Sequence, residues 1–183
     1  MYAPTTDPET TMLAGYVDSR VEALTASLRG LSDEQARERP ARSELTPGGI
    51  VRHVTYVLRQ HAGAGRAAEL DEDAFHAFTD SFVFDERHTV AGVLAELEEA
   101  RAACRERTLA TDPEEESMQP PAPWYGLPAM IANRRYELFH LLEELARHAG
   151  HADIVREQLD GGLVPTLEAE NAGRTVWRPD PDA

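Results

Sequence analysis

Three side chains have the types and spacing needed to hold a divalent metal ion: His53, Glu144 and His148. Glu144 and His148 stand four residues apart, and on a helix such residues lie one above the other. A carboxylate and an imidazole placed so can clasp one ion. His53 comes from another segment, on a stripe that is otherwise apolar, and supplies the third ligand. Two histidines and a glutamate with an open fourth position make a ligand set of the catalytic zinc type, which nickel, iron or manganese also accept. The competing reading is a hydrogen-bonded core network, since a lone histidine on an apolar face is more often that than a ligand. A buried, ionised Glu144, however, is costly unless it is paired or metal-bound. Its place beside His148, with a further inward histidine available, favours the ion. His151 is an alternate third ligand or an outer partner. His140, one turn before Glu144, is an outer or pocket residue, and Asp153 either orients an imidazole or lies on the surface.

These residues need helices to position them, and four long helical patterns are present. The first runs from about residue 9 to 29, with Met12, Leu13, Tyr16, Val17, Val21, Leu24 and Leu28 at three-to-four spacing and Gly30 as its breaker. Ser32-Asp33-Glu34-Gln35 reads as a capping box that starts a short turn before Pro40. The second long helix starts at Thr46-Pro47, an N-cap followed by proline in the first turn, and extends to about Ala68. Ile50, Val54, Val57, Leu58 and Ala64 form its apolar stripe, with His53 inside it. The third begins near Thr89 and carries Val90, Val93, Leu94, Leu97 and Cys104 on one face. The fourth is expected from Leu127-Pro128 to about Leu159, stopped by Gly161-Gly162. At about 100° per residue, Leu141, Leu145, Ala149, Ala152 and Leu159 share one sector of it. His148 sits near the centre of that sector, Glu144 roughly 40° to one side, and His151 slightly further round.

Between the helices, residues 70–87 form a connection rich in Asp and Phe (Phe75, Phe78, Phe82, Phe84), expected to cover a bundle end or a pocket mouth. Residues 111–126 read as an acidic, proline-rich linker. Residues 163–183 read as a Pro/Asp-rich tail in which Trp177 is the one residue suited to docking. No segment shows convincing strand alternation and there are no internal repeats. The expectation is an all-α four-helix bundle with two long connections, a single domain over residues 1–162 followed by the tail.

Composition sets the outer limits. A length of 183 residues, 42% of them hydrophobic, suits one domain with a sizeable core. No run of about 18 apolar residues exists, so no membrane helix is expected, and residues 1–11 do not read as a secretory signal. Cys104 is the only cysteine, which excludes an internal disulfide and makes a cytoplasmic setting the default. It lies in Ala-Ala-Cys-Arg-Glu-Arg with no histidine nearby in sequence and reads as a small core residue rather than a nucleophile. The net charge of −15 would repel a polyanion, so no nucleic-acid partner is expected.

Three motifs, in order along the chain, resemble the DinB/YfiT-like superfamily in its actinobacterial branch. They are Gly30-Leu-Ser-Asp-Glu-Gln-Ala-Arg-Glu-Arg-Pro40, Gly49-Ile-Val-Arg-His-Val54 and Glu144-Leu-Ala-Arg-His-Ala-Gly-His-Ala-Asp-Ile154. The resemblance spans most of residues 10–160, and the last motif is the most specific. It implies a four-helix bundle with a metal held near one end by one ligand from the second helix and two from the last at i, i+4. On this chain those positions are His53, Glu144 and His148. Many members carry histidine where Glu144 stands, which keeps His151 open as an alternate ligand.

The resemblance also implies thiol chemistry. Several relatives are S-transferases or isomerases that use a low-molecular-weight thiol such as mycothiol, held by the metal as a thiolate nucleophile. A mycothiol-type S-transferase acting on a small-molecule substrate is therefore the leading expectation, with a divalent metal, zinc foremost, as cofactor. A hydrolase or cyclase using activated water, and a non-catalytic metal-binding or structural bundle, are the alternatives. Tyr56, Arg147, Trp124 and Tyr125 are expected pocket residues. Bundles of this kind commonly pair through a helix face, so a homodimer is an open expectation.

Overall fold

The computed structural model describes residues 3–63, 71–122 and 126–175. Its elements in chain order are α1 (Glu9–Leu28), α2 (Asp33–Arg37), α3 (Pro47–His61), α4 (Glu72–Asp80), α5 (Val90–Ala110), β1 (Glu116–Gln119), β2 (Met130–Asn133), α6 (Arg134–Asp160) and α7 (Val164–Asn171). The protein is mostly helical, as the periodicity requires.

The caps anticipated from sequence act where expected. Ser32 and Gln35 close the capping box of α2. Thr46 and Thr89 accept the backbone N–H of Gly49 and Gly92 at the starts of α3 and α5. The apolar stripes of the four long helices meet in one core, where Val21, Leu24, Leu28, Ile50, Val54, Leu58, Leu97 and Leu145 are almost fully buried. Each such side chain contributes about 1.5–3 kcal/mol by leaving water.

Ion pairs and caps at the helix ends define how these helices run. Arg135, in the first turn of α6, pairs with Glu9 at the start of α1. Arg156, in the last turns of α6, donates to the carbonyls of Ser27 and Arg29 at the end of α1. Hence α1 and α6 are parallel. The end of α1 leads into α2, which packs on α3 and whose Asp33 accepts the first N–H of α5. So α3 and α5 both start at that end and run opposite to α1. His61 and Thr108, in the last turns of α3 and α5, also meet.

One consequence shapes the site. Because α3 and α5 are parallel, the chain between them must travel back along the whole of α3, roughly 22 Å at 1.5 Å per residue. Residues 71–89 make that return as a strap. Arg52 of α3 holds it by donating to the Asp80 carbonyl (2.8 Å), to the Val83 carbonyl and to the Asp80 carboxylate. Gly48 and Gly49 let it lie close: a Cβ on Gly48 would strike the Phe84 ring, and one on Gly49 would strike the Phe82 carbonyl.

Several segments differ from the sequence expectation. The last helix starts at Arg134 rather than at Leu127-Pro128, because residues 130–133 pair antiparallel with 116–119, Met118 opposite Ile131. Asn133 then caps α6 by accepting from the Tyr136 N–H. A short hairpin thus occupies part of what reads as linker, and strand structure exists where none is expected. The second long helix ends at His61, followed by Gly63 at φ +86°, a left-handed turn; its expected end near Ala68 lies outside the described residues. Residues 72–80 of the Asp/Phe-rich connection are helical, with Asp71 as cap. The segment read as the start of a tail forms α7, anchored by buried Val164 and packed on α1. Trp177 lies outside the described residues.

Candidate metal centre

The seam between α3 and α6 collects the polar residues. On α3, Ile50, Val54 and Leu58 face the core and His53 sits among them, 2% exposed. On α6, Leu141, Leu145, Ala149 and Ala152 are buried and His148 lies between them at 7%. Glu144 is one turn before His148, at the margin of the seam. His53, Glu144 and His148 each bring one ligand-capable atom within 4.8 Å of the others, and among the described residues they are the group that could hold an ion. Atoms sharing an ion at about 2.1 Å lie roughly 3.4 Å apart, so small side-chain rotations suffice. The His53 and His148 rings are already 4.6 Å apart between centroids.

The hydrogen bonding around this group is incomplete. The Glu144 carboxylate accepts from Arg147 at 3.0 Å and approaches His148 Nε2 at 3.5 Å. His148 Nδ1 is buried with no partner. Orphaned polar atoms in a protein interior are rare and ask for an explanation, and an ion is one that suits an imidazole nitrogen. Burial, and after it the neighbouring His148, pushes the His53 imidazole down to about 3. Burial also lowers His148, against the pull of Glu144. Both rings are thereby kept in the neutral form that binds metals.

The strap roofs the pair. Phe82 stacks on His53 with centroids 3.7 Å apart, and Phe78 meets the same ring edge-on at 5.5 Å. His53 Nδ1 lies 2.8 Å from Ser81 Oγ, which itself donates to the Phe78 carbonyl. The Phe-rich connection was legible as a cover; Ser81 and Arg52 were not. Ser81 lies 28 residues from His53 in a segment without periodicity, so nothing in the sequence pairs the two.

The remaining expected residues are distributed as follows. His151 meets the His148 ring edge-on at 5.6 Å, and its Nδ1 is buried without a partner, but it stands outside the three-residue group. Tyr56 joins the aromatic wall, 6.3 Å from His53, and burial raises its hydroxyl. Arg147 bridges Glu143 and Glu144 from the solvent side. His140 is about half exposed, stacked on Tyr136 at 5.9 Å and 3.6 Å from Glu143. Trp124 and Tyr125 lie outside the described residues. Cys104 is fully buried and its thiol is pushed up to about 12 by burial, which suits a core residue and not a nucleophile.

A mostly helical protein with a His/Glu/His group on two facing helices, roofed by aromatic rings, defines a class: helical proteins with a buried seam suited to a divalent ion. The chain belongs to the mycothiol-S-transferase family, whose model matches residues 12–161 and so takes in both helices of the seam. This agrees with the DinB/YfiT-like resemblance of the three motifs. A comparison with curated proteins finds no match. No helix among the described residues is long and apolar enough to cross a membrane.

Proposed function

We propose that the protein is a metal-dependent S-transferase or isomerase that uses a low-molecular-weight thiol, of the mycothiol type, as the nucleophile toward a small electrophilic substrate. The observation that carries this reading is the convergence of His53, Glu144 and His148, inside the span matched by a thiol-transferase family. These three residues would hold the ion, and their nitrogen and carboxylate donors favour zinc while admitting nickel, iron or manganese. A divalent ion held there would lower the pKa of a thiol enough to keep it a thiolate, the nucleophilic form, at neutral pH.

The chain's own residues divide the remaining work. His53 and His148 stay neutral, so protons compete weakly for their nitrogens. Arg147 orients Glu144 and offsets part of its charge. Phe78, Phe82 and Tyr56 keep water from one side of the seam, which strengthens every electrostatic interaction within it.

The test has two arms. Protein purified without chelator should carry close to one divalent ion per chain by elemental analysis, and protein that takes up neither zinc nor nickel overturns the reading. Loaded protein should then accelerate thiol-dependent consumption of monobromobimane. Metal uptake with no thiol-dependent rate would favour water-activating chemistry instead.

A further inference from the structure

Ser81 is the one polar side chain that the strap delivers to the metal-ligand group. It is 5% exposed and closes α4, directly after the residue that Arg52 clamps. Its single hydroxyl proton is committed to the carbonyl of Phe78 in the preceding turn. A carbonyl only accepts, so the hydroxyl can meet His53 only through a lone pair. The His53 nitrogen that faces it at 2.8 Å is Nδ1, and for that contact to be a hydrogen bond Nδ1 must carry the ring proton. A neutral imidazole has one N–H, so Nε2 is left with a free lone pair.

We infer that Ser81 is a positioning residue for the candidate metal centre: it accepts the Nδ1–H of His53, selects that tautomer and reserves Nε2 as the ligand atom. The role rests on the metal reading above and adds to it a specific group, supplied by the strap rather than by either helix of the seam. Ring rotation is restrained from two further sides. Phe82 lies flat on the imidazole (13° between planes) and Phe78 abuts its edge at 90°. The hydroxyl therefore chooses between tautomers of a ring whose plane is already set by packing. A histidine ligand whose second nitrogen donates to a fixed acceptor binds metal more tightly, and loss of such an acceptor typically costs about 10- to 100-fold in affinity.

The experiment reads the tautomer without metal and the affinity with it. In ¹⁵N-labelled, metal-free protein, long-range ¹H–¹⁵N correlation should show His53 as the Nδ1–H form. Ser81→Ala should redistribute it toward Nε2–H, and Ser81→Thr, whose hydroxyl can make the same backward bond, should restore it. Zinc affinity by chelator competition should fall about 10- to 100-fold in Ser81→Ala and recover in Ser81→Thr. A His53 tautomer and a zinc affinity that both ignore the loss of the hydroxyl overturn the role of Ser81 alone. Wild-type protein that shows the Ser81-dependent tautomer yet takes up no zinc overturns the metal reading, and the role with it.

Discussion

Helix α6 buries two polar side chains eight residues apart to almost the same depth, Arg156 at 6% exposure and His148 at 7%, and their surroundings are opposite. Arg156 is bonded to three acceptors of the fold: it donates to the carbonyls of Ser27 and Arg29 at 2.8 Å each and to Asp160 at 2.9 Å. Asp160 in turn accepts the Gly162 N–H. This cluster closes the C-terminal end of α1 and the end of α6 together. His148 has a buried nitrogen with no partner, an aromatic roof at 6.1 Å and two further imidazoles within 6 Å. Burial at equal depth therefore does not separate structure from function; hydrogen-bond completion does. A polar group bonded within the fold stabilises it, while one left open is free to take the ligand role proposed for His148.

The comparison can be broken most directly at Arg156. Arg156→Met should cost about 3 kcal/mol in denaturant unfolding, because two helix-end carbonyls lose a charged donor and Asp160 loses its partner. Metal uptake per folded chain should be unchanged. An Arg156→Met protein that kept its stability but lost the ion would invert the assignment. His148→Leu should behave in the opposite way. Its metal affinity should drop by more than about 100-fold, beyond the usual cost of losing an outer partner. In chelator, its unfolding midpoint should match or exceed that of wild type, since an unsatisfied nitrogen has been replaced by a core side chain.

The strap offers a smaller effect that sharpens the same distinction. Gly49→Ala places a methyl group against the Phe82 carbonyl and should cost about 1–3 kcal/mol, as overpacking does. It should also weaken zinc binding, because the strap that carries Ser81 and Phe82 must lift. A stability loss with zinc affinity intact would show that the strap covers the seam without helping to shape it.

The same ligand group can also be read through pH, where the effect per pH unit is small. His53 titrates at about 3 in the fold and near 6.5 unfolded, so between those values the unfolded chain binds the extra proton. The stability of chelated protein should be complete above about pH 6.5 and decline as pH falls toward 3, by at most about 1.4 kcal/mol per pH unit from this group. Chelated His53→Phe should show a correspondingly shallower decline; an equal slope would mean that His53 is not held neutral.

Much of the candidate site was legible because helices make it so. The i, i+4 spacing of Glu144 and His148 fixes their common face once the segment is helical, and His53 interrupts an apolar stripe whose direction is equally fixed. The spacing prefers Glu144 to His151 as third ligand, and Glu144 is the one whose carboxylate lies within 4.8 Å of the His53 and His148 ligand atoms. What was not legible depends on contacts across the chain. The hairpin strands Glu116–Gln119 and Met130–Asn133 are four residues each and make no hydrophobic alternation, so only their pairing reveals them. Helix α7 follows a Gly-Gly stop and looks like a tail until Val164 is seen buried beside α1.

Periodicities of three to four residues and side-chain chemistry are enough for the helical class, the caps, the core stripes and the inward place of His53 and His148 on their own helices. Packing across the chain sets the rest: α3 meets α6 so that His53 faces His148, α3 and α5 run parallel, and the return between them carries Ser81 and two phenylalanines onto His53. The physical reason is distance along the chain. Local rules fix which way a side chain points from its own helix, while the partner that orients an imidazole arrives on a segment 28 residues away, positioned by Arg52 and by the absence of a side chain at Gly48 and Gly49.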